Sequence, residues 1–71
     1  MTAETVTVVV NGESRRLPRG VSLLGVLEEL DLDPRGVVVE LNQEIVRRPA
    51  LADVRIREGD TVELVHFVGG G

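Results

Sequence analysis

The sequence predicts an α+β domain: one mixed sheet of about four to five strands with a single helix packed on one face. Three observations carry that expectation. A β-branched run, TVTVVV, is followed at once by Asn11-Gly12. One stretch alone, LLGVLEEL, shows helical spacing of apolar residues. After it come short apolar segments, VVVEL, Ile45-Val46 and Thr61 to Phe67, separated by turn residues.

The first element is a hairpin. Asn-Gly suits a two-residue turn because both central positions need positive φ, so Thr5 to Val10 should pair with a return strand from Glu13 to Leu17. The two-residue period puts Val6, Val8 and Val10 on one face, and the turn length sets Val6 opposite Leu17. Pro18 and Gly20 end the hairpin. Ser22 is a good N-cap for a helix from Leu23 to Leu30, with Leu23, Leu24, Leu27 and Leu30 on its apolar side. Gly25 costs that helix about 1 kcal/mol relative to Ala, so packing on the sheet must hold it.

Asp31, Asp33, Pro34 and Gly36 form the next loop, and VVVEL (Val37 to Leu41) reads as a buried strand reached by the helical crossover. Asn42-Gln43-Glu44 turns into a short strand at Ile45 and Val46, which Arg47, Arg48 and Pro49 break. Leu51 to Asp53 is expected to form one helical turn, and Arg55 to Arg57 to be extended. Glu58-Gly59-Asp60 should be a tight turn before a last strand, Thr61 to Phe67, with Val62 and Leu64 facing the core.

Seventy-one residues make one small domain, and small domains bury only about 60% of the surface that the unfolded chain exposes. The core must therefore be rich: Val, Leu and Ile supply 14, 9 and 2 residues. Without Cys there is no disulfide, thiolate metal site or cysteine nucleophile. A net charge of −4, with Phe67 the sole aromatic, argues against nucleic-acid partners, which call for basic surfaces and stacking platforms. No apolar run approaches the roughly 20 residues that span a bilayer, and the N-terminal residues lack a signal-peptide pattern, so a cytoplasmic protein with no membrane partner is expected.

No catalytic constellation is legible. His66 is the only histidine, and the carboxylates show no metal-ligand spacing, so no metal site is expected. Ser14 and Ser22 have roles in a hairpin and a cap. Glu28-Glu29 and Asp31-Asp33 read as solvated charge, and Arg15, Arg16 and Arg19 as a solvated cluster or a grip for a phosphate or a partner's acidic patch. What remains is the end of the sequence, HFVGGG. A terminal carboxylate is ionised at neutral pH and is able to attack the α-phosphate of ATP when an enzyme brings them together. Glycines lack Cβ, so such a tail threads a narrow channel and approaches a nucleotide closely.

The NG hairpin, the single helix, the stretch VVVELNQEIVRR, the turn EGDTVEL and the terminal Gly70-Gly71 together resemble the ThiS family, sulfur carriers of thiamin thiazole biosynthesis with the ubiquitin-like β-grasp fold. The likeness runs from about Val6 to Gly71. Pro49 comes one residue later than the family's usual IVPR wording, and Gly69 adds to the usual terminal pair. The resemblance implies a β-grasp domain over residues 1–67, monomeric when free, and a flexible glycine tail over 68–71. It further implies that a ThiF-type adenylyltransferase uses ATP and magnesium to adenylate the Gly71 carboxylate. Sulfur from a cysteine desulfurase then displaces AMP to leave a thiocarboxylate, and a ThiG-type thiazole synthase accepts the sulfur. On this reading the chain binds no cofactor and is no enzyme; Gly70 and Gly71 form the reactive end, and Phe67, Val68 and Gly69 dock on partners. The small subunit of molybdopterin synthase, a carrier for tRNA thiolation, a ubiquitin-like modifier and a plain β-grasp interaction domain are the alternatives.

Overall fold

The computed structural model describes residues 4 to 67. The first strand, β1 (Thr5–Val10), and the second, β2 (Glu13–Pro18), form the expected hairpin. Asn11 and Gly12 both take positive φ, 49° and 84°, and Val6 pairs with Leu17. The return strand runs one residue past Leu17, because Thr5 pairs with Pro18 at the sheet's edge, where a missing N–H is tolerated.

The helix α1 (Leu23–Glu29) starts on the Ser22 cap, whose Oγ accepts the Gly25 N–H at 3.0 Å. It ends one residue short of the expected Leu30, which serves as its C-cap. A 3-10 turn at Pro34–Gly36 leads into β3 (Val37–Leu41), and β4 (Glu44–Val46) folds back on β3 through Asn42 and Gln43, both at positive φ. The helical turn expected at Leu51 to Asp53 forms earlier, at Arg48–Ala50. Pro49 explains the shift, since its fixed φ favours the first turn of a helix. Of Arg55 to Arg57, Arg55 makes an isolated antiparallel bridge with Ser22. Gly59, at φ 84°, turns the chain into β5 (Thr61–His66), which stops one residue before Phe67.

The strand order is β2-β1-β5-β3-β4. The last strand of the chain is thus the middle strand of the sheet. It runs parallel to β1, with Val9 beside Thr61 and Val10 beside Val62, and antiparallel to β3 from Val37–His66 to Leu41–Val62. One face of the sheet carries Val6, Val8, Val10, Leu17, Val37, Val39, Val62 and Leu64, all buried. Against them lie Leu23, Val26 and Leu27 of α1, with Leu51 and Ile56 closing the core. Among the described residues no polar or charged side chain is buried.

Gly25 has a packing reason. A Cβ at this position would lie 2.5 Å from Val21 Cγ2, so the helix can seat against the Val21 segment only where this side chain is missing. The propensity cost read from the sequence is offset by that close approach.

Candidate functional site

The route to the tail runs through β5, and the sheet holds this strand on both flanks. On the β3 side the antiparallel ladder continues to its end, where the Phe67 N–H donates to the Gly36 carbonyl at 3.0 Å. On the β1 side, Val9 N–H donates to Asp60 O and Asn11 N–H to Val62 O, each at 2.9 Å. Two asparagine side chains add to this. Asn42 Oδ1 accepts the Thr61 N–H at 2.9 Å, while its Nδ2 donates to Asp60 Oδ1 at 3.1 Å. Asn11 Oδ1 accepts the Leu64 N–H at 2.7 Å, and its Nδ2 donates to the Leu64 carbonyl at 3.2 Å. Sequence reasoning gave both asparagines turn roles and missed these clamps; positive φ at an Asn is legible, but the strand it reaches is not.

Phe67 stands where β5 ends, 60% exposed. Val65 and Ile45 are also exposed, at 53% and 66%. Register places Val65 and Ile45 on one face: Val65 pairs with Val38, Ile45 pairs with Glu40, and Val38 and Glu40 point the same way along β3. Phe67 continues the alternation from Val65. The face opposite the helix therefore carries an apolar patch beside the exit of the tail, bordered by Glu40 and Glu63, which pair directly. Val68, Gly69, Gly70 and Gly71 lie outside the described residues.

The other sequence candidates do not converge. His66 is exposed on β5, and Ser14 is exposed on β2. Ser22 is engaged as the helix cap. Glu28, Glu29 and Asp31 are exposed, and among the described residues no three His, Cys, Asp or Glu side chains are placed to hold a metal. Asp33 caps its 3-10 turn and makes an ion pair of 3.0 Å with Arg35. The Arg35 side-chain hydrogen bonds, and then its backbone N–H, hold the Asp33 carboxyl below its ordinary range, while Asp33 raises Arg35 in turn. Arg15 stands 3.9 Å from Glu13. Arg19 lines a cleft of about 700 Å³ with Arg55 and Arg57, so the cluster read from the sequence is divided. A second cleft, of about 450 Å³, lies between β3, β4 and the turn at Arg48–Ala50 and offers neither nucleophile nor base.

Comparison with known proteins matches this arrangement. A family model described as the ThiS family matches residues 8–71. The sulfur carrier protein ThiS of Thermus thermophilus is 42% identical over 64 residues, covering 90% of this chain and 98% of that protein. A thiazole synthase of Paramagnetospirillum magneticum is also 42% identical over 64 residues, but the chain spans only 20% of its length. The crystal structure of ThiS from Geobacter metallireducens superposes with a TM-score of 0.81 at 30% identity, covering 93% of this chain and all of that one. The five-stranded mixed sheet with one helix is the β-grasp fold that the resemblance implied. The identity, the coverage and the shared fold agree, and the chain belongs to the ThiS family.

Proposed function

We propose that this sulfur carrier works through the carboxylate of Gly71, which is adenylated and then converted to a thiocarboxylate that supplies sulfur for thiazole formation. The observation that carries the proposal is the family match running through residue 71, so that it includes Gly70 and Gly71. A carboxylate oxygen attacks the α-phosphorus of ATP and releases pyrophosphate. A persulfide charged by a cysteine desulfurase then attacks the acyl carbon and releases AMP, and a thiol cleaves the resulting acyl disulfide, leaving the thiocarboxylate and a new disulfide. The ThiF-type adenylyltransferase binds ATP and magnesium, and a ThiG-type thiazole synthase takes the sulfur. The carrier itself is a co-substrate. The glycines give the end a narrow cross-section for the partner's active site, while the apolar patch of Ile45, Val65 and Phe67 supplies contact area next to it.

Thiazole synthase is favoured as acceptor over molybdopterin synthase because thiazole synthases of two bacteria contain a segment 42% and 40% identical to this chain. Incubation with the adenylyltransferase, ATP, magnesium and a sulfur source should change the intact mass by the difference between one sulfur and one oxygen, located at Gly71. A modification mapped to any other residue overturns the reading. Discharge of the product by purified thiazole synthase, and not by the large subunit of molybdopterin synthase, tests the acceptor.

A further inference from the structure

We propose that Asn11 is a positioning residue for the tail: its side-chain amide prolongs the β1 side of the sheet by one rung along β5 and so fixes the direction in which the chain leaves the fold. The inference rests on the carrier reading for its functional consequence and on hydrogen bonds alone for its structural part.

β1 ends at Val10, where the Asn11-Gly12 turn carries the chain away into β2. β5 continues past that point to His66. On its β1 side the last backbone hydrogen bond is Asn11 N–H to Val62 O. The next rung belongs to Leu64, whose N–H and carbonyl have lost their strand neighbour. Asn11 meets both, at 2.7 and 3.2 Å, with the same donor and acceptor pair that a peptide group presents. Beyond Leu64 the strand is secured on the β3 side, by Val38–Val65, Val37–His66 and the Phe67 N–H to Gly36 O bond. Among the described residues, Asn11 is therefore the final hold on the β1 flank before the tail.

Positive φ and a short amide are both required here. Asn tolerates φ 49° better than most residues, and its side chain is short enough to reach back to the neighbouring strand. One residue makes the turn and closes the ladder.

The functional consequence follows from leverage. Held extended in a partner's channel, the four residues after Phe67 would span at most about 3.3 to 3.6 Å each, so a swing of roughly 2° at Phe67 would move their end by about 0.5 Å. A misplacement of about 1 Å at a reacting atom can cost roughly a hundredfold in rate. Docking draws also on Ile45 and Val65, which pairing with β3 holds in place, and so depends less on this angle. Losing the clamp should therefore lower kcat for adenylation and leave KM for the carrier nearly unchanged.

Asn11→Gly keeps the turn conformation and removes the amide; Asn11→Asp keeps the Oδ1 acceptor and removes the Nδ2 donor. Adenylation kinetics with each variant as substrate should show kcat about tenfold lower for Asn11→Gly, with KM within about twofold, and a smaller fall for Asn11→Asp. Amide exchange in the free protein should quicken at Leu64 and Phe67 in Asn11→Gly while Leu27 in the helix stays protected. A parental kcat in Asn11→Gly, a loss confined to KM, or parental exchange at both amides overturns the proposal. Should Asn11→Gly fail to fold, Asn11→Asp decides by the same two readouts. A parent protein that the adenylyltransferase does not accept overturns the carrier reading instead, and the exchange measurement then decides the role of Asn11 by itself.

Discussion

Two substitutions in and beside one strand should separate stability from binding. Val62 is fully buried at the centre of the sheet, whereas Phe67, five residues on, is 60% exposed at the exit of the tail. Val62→Ala removes two buried methyl groups, at about 0.8 kcal/mol each by transfer, and leaves a cavity, for a total of about 2 to 3 kcal/mol. For a domain of this size that is a fall in Tm of roughly 10 to 20 °C. Phe67→Ala is different. A buried Phe would cost about 3 to 5 kcal/mol, but here most of the ring already faces water and no closed cavity results. The covered area lost is roughly 50 Å², about 1 kcal/mol at 25 cal/mol per Å², and this is an upper figure because the unfolded chain also covers part of it. Binding should reverse the order. An exposed aromatic that becomes buried at the centre of an interface is worth about 2 kcal/mol or more, so Phe67→Ala should raise Kd for the adenylyltransferase about thirtyfold. Val62→Ala, measured below its Tm, should bind within about twofold of the parent, since the outer face is unchanged. Thermal melts and calorimetric titration of both variants provide the assay. If Phe67→Ala melts as low as Val62→Ala and binds like the parent, Phe67 is a core residue and the patch is not the docking face.

Gly25→Ala gains about 1 kcal/mol of helix propensity, but its Cβ meets Val21 Cγ2 at 2.5 Å, so chemical denaturation should show a net loss of up to about 2 kcal/mol. In a Val21→Ala background the same change should become stabilising, because the next atom, Ser22 Oγ, is at 3.5 Å. Gly70→Val should leave stability within about 0.5 kcal/mol of the parent while adenylation, followed as AMP formation, falls about a hundredfold; Gly69→Val should be milder. Asp33 titrates low because of Arg35, so the contribution of its turn is present above the ordinary aspartate range and is lost as pH falls through the lowered value. An NMR titration should find that midpoint depressed, and Arg35→Ala should return it toward the ordinary range.

The hairpin and its register, though not its last residue Pro18, were legible because the information is local: TVTVVV is β-branched throughout, and Asn11-Gly12 fixes the register that sets Val6 against Leu17. The helix and its Ser22 cap were legible for the same reason. The shift of the helical turn to Arg48–Ala50 was not legible, because Pro49 reads in the sequence as the break of the preceding strand, whereas its fixed φ also favours the first turn of a helix. Gly25 carried a warning of weak propensity without the cause, since the place of the Val21 side chain, just before the Ser22 cap, is not legible from residue type. The Asn11 clamp was beyond reach. Asn11 and Leu64 are 53 positions apart, and nothing in their neighbourhoods says that they meet.

That separation follows from the topology, and the topology bears on the site. Parallel neighbours cannot be joined by a tight turn, so β5 can lie beside β1 only after the chain has built the helix and the β3–β4 hairpin. Its place between β1 and β3 closes the sheet and gives the last strand two hydrogen-bonded flanks, where a terminal strand at an edge would have one. A terminal edge strand frays readily, and a tail leaving it would inherit that motion. Here the residue before the tail, Phe67, is still bonded to Gly36, while Asn11 grips the opposite flank three residues earlier. The proposed mechanism, in which the glycine end enters a partner's active site, would draw on this base, and the place of β5 in the middle of the sheet supplies it.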